Sequence, residues 1–223
     1  MKNFLTLNFF ISIMALTSSS LTAQRTYFPQ LRHYKHGAYL LPGSRTYIPY
    51  NKIFEESESD PIAYVQIYPG QTEKIVIAYN PGPSDDPNFE FYRQDGQDFT
   101  FLFSLDADEI YVPGNGYIYT RQDNVAKKYI YLRNGEAREI KQPFYYLGIK
   151  DRTLKPIKVY ADRNFTKVLA SLPRNYPVEI LLGKNCEYGN FCDAYLIKTS
   201  FGLVGWIQND GQSLNFFRGF MAD

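Results

Sequence analysis

Apolar and polar residues alternate in short runs along almost the whole chain, and no long stretch repeats apolar residues at i, i+3, i+4 and i+7. Such a pattern predicts strands, whose successive side chains face opposite ways. In the first half the runs are Ile62–Tyr68, Lys74–Tyr79, Phe89–Arg93, Phe99–Leu105, Glu109–Val112, Tyr117–Thr120, Lys128–Arg133, Glu136–Ile140 and Phe144–Ile149. Turn chemistry separates them. Asn80-Pro81-Gly82-Pro83 admits no strand, because proline has no N–H to give a ladder. Asp95-Gly96 and Asn134-Gly135 are dipeptides that hairpin turns favour, and Pro113-Gly114-Asn115-Gly116 is a further break. Hairpins in succession predict an antiparallel meander. Phe99, Phe101 and Phe103 alternate with Thr100, Leu102 and Ser104, which predicts one stripe of rings facing a core.

A polar joint at Lys150–Leu154 separates this half from a denser one. There, Ile157–Tyr160, Val168–Leu172, Val178–Leu182, Phe191–Lys198 and Leu203–Ile207 read as strands, with a loop at Gly183–Asn190. Five short strands so spaced predict a small closed barrel, a shape that leaves few bare edges. The stretch 152–210 resembles the bacterial SH3-like domain family. The resemblance rests on Val168–Leu172, on Val178–Leu182, and above all on Gly202-Leu203-Val204-Gly205-Trp206-Ile207, which holds the chain's one tryptophan. Asn175 stands where the family has glycine, and asparagine tolerates positive φ. Ala194 stands where the family has tryptophan. The resemblance implies a non-catalytic binding module of the cell envelope, with peptidoglycan or a peptide as ligand. Tyr160, Tyr188, Tyr195 and Trp206 are the candidate contacts, since aromatic rings near the loops of a small barrel supply area at little entropic cost. Filling the barrel is the other role open to Trp206.

The ends add a destination. Lys2, the apolar run Phe4–Leu16 and the small polar residues Ser18–Ala23 follow the order of a secretory signal, which predicts cleavage after Ala23. That run is shorter than the ~20 residues of a membrane helix, and no cysteine stands near the cleavage site to take a lipid. The expected product is secreted or periplasmic, with no membrane span. It is all-β: an antiparallel β-domain of no recognised family over residues 25–150, the SH3-like module over 152–210, and an apolar tail over 211–223 that packs back through Phe216, Phe217 and Phe220. In an exported chain the two cysteines, Cys186 and Cys192, predict a disulfide clip across a hairpin. The loop it closes is short, so its contribution is on the order of 2 kcal/mol.

Charge changes the picture only by exclusion. The chain has 24 Lys and Arg against 23 Asp and Glu, and loss of Lys2 makes the two equal. No concentrated basic face exists for nucleic acid. The motifs of serine hydrolases, zinc proteases, dinucleotide-binding folds and P-loops are absent from the sequence, so no catalytic residue, metal or cofactor is predicted. Asp106, Asp108 and Glu109 cluster as a solvated turn or, alternatively, a calcium-binding loop. His33 and His36 are read as solvated. Tyr117, Tyr119, Tyr129, Tyr131 and Tyr145 or Tyr146 recur on neighbouring strands; they are read as half core and half scattered surface, with an aromatic platform as the alternative. Two other functions stay open: an exported protein–protein partner or inhibitor, and an enzyme with an unrecognised site in the N-terminal domain.

Overall fold

The computed structural model describes residues 30–83, 86–188, 191–209 and 217. The predicted signal at 1–23, and the tail 211–223 apart from Phe217, lie outside the described residues. The chain is all-β. In order it runs β1 (Arg32–His33), a single 3-10 turn (Lys35–Gly37), β2 (Ala38–Leu40), α1 (Lys52–Glu56), β3 (Asp60–Val65), β4 (Lys74–Asn80), β5 (Asn88–Asp95), β6 (Asp98–Asp106) and β7 (Glu109–Val112). It continues through β8 (Tyr117–Gln122), β9 (Val125–Tyr131), β10 (Ala137–Glu139), β11 (Tyr145–Arg152), β12 (Ile157–Tyr160), β13 (Val168–Leu172), β14 (Pro177–Tyr188), β15 (Phe191–Thr199) and β16 (Val204–Gln208).

The first half folds into two sheets, a six-stranded one in the order β1-β2-β7-β8-β9-β10 and a four-stranded one in the order β3-β4-β5-β6. A core of Leu40, Ile110, Val112 and Ile118 from the first and Ile75, Ile77, Phe89 and Phe91 from the second joins them face to face. The other face of the four-stranded sheet packs Val76, Ala78, Tyr92 and Phe99 against Phe54 of α1. Strand β4 is therefore covered on both sides, which is why Ile75-Val76-Ile77-Ala78 is an unbroken apolar run rather than an alternating one. The predicted antiparallel meander holds from β3 to β6 and from β7 to β10, but β2 joins β7 in parallel, Ala38 beside Ile110. The 3-10 turn before β2 is pinned by Asp60, whose carboxylate accepts from Lys35 Nζ at 2.5 Å and His36 Nε2 at 2.7 Å. Burial pushes the Asp60 carboxyl up, yet the hydrogen bonds and charges of Lys35 and His36 outweigh it and hold the group below its ordinary value. His36 also stacks on Tyr79 at 4.2 Å, so it is not the merely solvated residue predicted.

The phenylalanine stripe does not face one core. The β5–β6 ladder slips between Phe91↔Phe103 and Tyr92↔Phe101, leaving Leu102 as the extra residue of a bulge. A slip of one residue reverses every side chain beyond it. Phe103 therefore packs on the intersheet core, Phe99 lies on the α1 side, and Phe101 is 50% exposed. The two turn dipeptides also differ in detail. Asp95 pairs with Asp98, so the loop is Gly96-Gln97. Leu132 N donates to Glu136 O, so Arg133-Asn134-Gly135 forms a three-residue loop.

The second half is one six-stranded sheet in the order β11-β14-β15-β16-β12-β13, antiparallel throughout. Closing it into the predicted barrel would require β13 beside β14. That edge of β14 is taken by β11, from Tyr145↔Gly183 to Arg152↔Pro177, so among the described residues the sheet stays open. This corrects the predicted division as well. Residues 150–152 continue β11, and the run at Phe144–Ile149, assigned to the first domain, belongs to the second sheet. Beyond it, buried Thr153 donates its hydroxyl to Pro173 O at 2.6 Å and accepts from Tyr176 N at 2.9 Å. Phe217 bridges to Thr153 and is fully buried against Tyr195, edge to face at 6.0 Å.

Strand β14 does not end at Leu182 but runs to Tyr188, so much of the predicted loop at Gly183–Asn190 is ladder. Cys186 lies directly opposite Cys192, Cα to Cα 4.0 Å, and the two are disulfide-bonded. The sulfurs lie over Gly183. A Cβ there would come within 2.2 Å of Cys192 Sγ and 2.5 Å of Cys186 Sγ. A Gly183→Ala protein is therefore expected to be destabilised by about 3 kcal/mol, the upper range for overpacking. A melting curve identical to that of the parent protein would refute the steric role given to this glycine.

Candidate functional site

One feature of the second sheet stands out once register is known. Tyr146 pairs with Leu182, Leu182 with Leu196, Leu196 with Trp206, Trp206 with Tyr160, and Tyr160 with Val168. These six residues form a single cross-strand row spanning the sheet from β11 to β13. Their neighbours in sequence, Tyr145, Tyr195, Ile207 and Val159, point into the core, so the row occupies the outer face. Its ends are open, with Tyr146 66% and Val168 49% exposed, while Leu182, Leu196, Trp206 and Tyr160 are half-buried. An apolar row on the solvent side of a sheet is the reverse of the usual alternation.

Glycine 205 is what allows Trp206 into this row. A Cβ at Gly205 would fall 2.5 Å from Val159 Cγ1 and 2.8 Å from Tyr160 O, so the close approach of β12 and β16 depends on its absence. Around the tryptophan, Phe144 packs with its ring tilted by 43° at 5.6 Å, and Arg163 lies over the Phe144 ring at 5.5 Å. Phe165 meets Tyr160 edge-on at 5.5 Å. Arg163 and Phe165 stand on the β12–β13 loop, which Asp162 organises. Its carboxylate accepts from the N–H of Asn164 at 2.9 Å and of Lys167 at 3.1 Å, and from Thr166 Oγ1 at 2.9 Å. Slight desolvation pushes this carboxyl up, but those hydrogen bonds hold it below its ordinary value.

Beside the apolar row runs a charged one, Lys150, Glu179 and Lys198 in register, with Lys198 Nζ 3.6 Å from Glu179 Oε2. It borders an open concavity of about 600 Å³ to which Arg152 and Asp151 also contribute. The face thus offers aromatic and aliphatic area next to cations.

Of the four predicted contacts, Tyr160 and Trp206 lie directly opposite each other in this row. Tyr195 is a correction: it is 0% exposed inside the second core, where its hydroxyl accepts from Cys192 N at 3.1 Å, and it offers no surface to a ligand. Burial pushes its phenol above the ordinary value. Tyr188 ends β14 opposite Phe191, and its side chain lies outside the described residues. Tyr146, Leu182, Leu196, Phe144 and Arg163 were not among the predicted contacts. Alternation assigns a face only relative to a neighbouring strand, and register alone supplies that reference.

The remaining candidates are used by the fold. Glu109 accepts from Arg121 and from the Tyr111 hydroxyl, and Asp108 accepts from Asp123 N at 2.6 Å. Among the described residues no three His, Cys, Asp or Glu side chains gather as a metal-holding group. The tyrosines divide. Tyr131 and Tyr145 are buried, and burial pushes the half-buried Tyr129 up to about 12. Tyr117 and Tyr119 lie beneath Lys128 Nζ, 3.9 and 5.7 Å from their rings. No helix among the described residues is long and apolar enough to cross a membrane. No family model, curated protein or solved structure matches the chain.

Proposed function

We propose that this is an exported, non-catalytic binding protein of the cell envelope, and that its second sheet is a bacterial SH3-like module that grips peptidoglycan. The observation that carries the reading is the apolar row Tyr146–Leu182–Leu196–Trp206–Tyr160–Val168 on a face that ordinarily meets water. Aromatic rings on such a row suit the apolar faces of sugars and the side chains of stem peptides. Lys150, Arg152 and Lys198 beside it suit the carboxylates of the same polymer. The disulfide-bonded pair Cys186–Cys192 fits an oxidising compartment. So does the secretory order of residues 1–23.

Sedimentation with purified sacculi tests the reading. The chain is expected to pellet with them. Trp206→Ala and Tyr160→Ala are each expected to weaken retention about thirtyfold, the effect of losing a hot-spot aromatic near 2 kcal/mol. Tyr195→Phe, which removes a hydroxyl from the interior, should leave retention unchanged if the protein stays folded. A chain that remains in the supernatant, with both row variants indistinguishable from it, ends the proposal.

A further inference from the structure

We propose that the outer edge of β13 docks an extended peptide from a partner protein, a peptide of alternating apolar residues with acidic residues at both ends, added to the sheet as a further strand. This goes beyond the wall-binding face and does not depend on it.

Strand β13 ends the sheet order, so among the described residues nothing pairs with its far side. A bare edge presents a row of backbone donors and acceptors, and natural sheets guard such edges with lysine, proline or a bulge. Val168-Leu169-Ala170-Ser171-Leu172 has neither charge nor proline. It does have a bulge, because Val159 pairs with Ala170 and Tyr160 with Val168, leaving Leu169 extra. Both residues at the bulge stay accessible, Val168 49% and Leu169 40% exposed, although the tip of Leu169 leans back over β12 towards Gly205. Val168 also ends the apolar row, so an apolar residue of an added strand would extend that row by one position.

Charge selects the occupant. Lys167 and Arg174, both exposed, flank β13, and no Asp or Glu lies between Arg163 and Tyr176. Asp162, just ahead, has its carboxylate turned into the loop by the hydrogen bonds already described. Both ends of the edge are therefore cationic, and acidic flanks complement them. A second copy of this chain fits worse. Antiparallel pairing of β13 with itself about Ala170 would set Lys167 of one copy opposite Pro173 of the other and one position from its Arg174, bringing like charges together at both ends of the ladder.

The test is a titration of the full, isotope-labelled protein with the capped synthetic peptide Asp-Val-Thr-Val-Thr-Val-Asp, followed by amide chemical shifts and hydrogen exchange. The largest shifts and slowed exchange are expected at 168–172. Affinity is expected to fall about tenfold or more for a peptide with lysine ends, for one N-methylated at alternate amides, and for the Leu169→Lys protein, each of which removes a feature strand addition requires. Trp206→Ala is expected to change this affinity less than about twofold, because it lies two strands from the edge. Failure of sacculus binding and failure of this proposal are thereby told apart. Shifts centred elsewhere, equal binding of the N-methylated peptide, or a dimer that Leu169→Lys dissociates would each overturn it. The N-methylated arm uses the unaltered protein, so it stands even if Leu169→Lys folds poorly.

Discussion

Replacing Gly205 with alanine is expected to loosen the second sheet by about 3 kcal/mol and to abolish retention on sacculi, although no ligand contact is touched. The added methyl would overlap Val159 Cγ1 at 2.5 Å and the backbone oxygen of Tyr160 at 2.8 Å. A flexible side-chain end can turn aside, but Tyr160 is bound in register to Trp206 on one side and Val168 on the other. Relief therefore comes by moving β12 from β16, which parts the two central residues of the apolar row. Overpacking of this kind costs about 1–3 kcal/mol, and more where backbone has to yield. Trp206 is the chain's only tryptophan, so its fluorescence reports the change without labelling. The expected record is an altered emission maximum together with a lower melting temperature. Unaltered emission and full sacculus binding would show that the Gly-Trp-Ile ending is not held together by this close approach.

Truncating Phe91 is expected to have an effect at least as large in the first half. Its ring is fully buried in the intersheet core and stacks on Phe103 at 4.5 Å. Removing a buried phenylalanine costs about 3–5 kcal/mol, the sum of lost transfer energy and the cavity left behind. Against a total stability on the order of 5–15 kcal/mol, that takes about a fifth or more of the margin. Denaturant unfolding of Phe91→Ala should show a lower midpoint with the slope preserved. Phe101→Ala is the matched comparison. It comes from the predicted stripe, yet the bulge at Leu102 leaves Phe101 half exposed, and its loss should cost less than about 1 kcal/mol. Equal losses at the two positions would mean that the bulge does not divide the stripe.

That pair shows where the sequence could be read and where it could not. Alternation and turn chemistry are local, so the all-β class, the positions of most strands and the cysteine hairpin were legible from residues alone. Whether Phe101 faces in or out depends on one inserted residue opposite another strand, which no local pattern records. The same reasoning covers Tyr195. It sits in an alternating strand beside Ala194, and only pairing with Gly183 and Ile207, both buried, places its ring in the interior. Strands β1 and β2 and helix α1 went unpredicted because runs of two, three and five residues are too short to show a period. The parallel union of β2 with β7 joins residues some seventy positions apart. Within the site, Trp206 and Tyr160 were legible as aromatic residues near loops; Leu182 and Leu196 acquired meaning only as their neighbours in the row.

The edge that β11 takes on β14 also governs how portable the aromatic half is. Val125, from β9, is buried within the second core, Tyr145 donates its hydroxyl to Glu139 at 2.7 Å, and Gln142 Nε2 donates to Ala126 O at 3.0 Å. A gene segment cut at residue 152 would abandon an entire strand and a plug of its interior to the upstream fragment. The second half taken alone from residue 153 would thus have a bare β14 edge and a gap where Val125 packs.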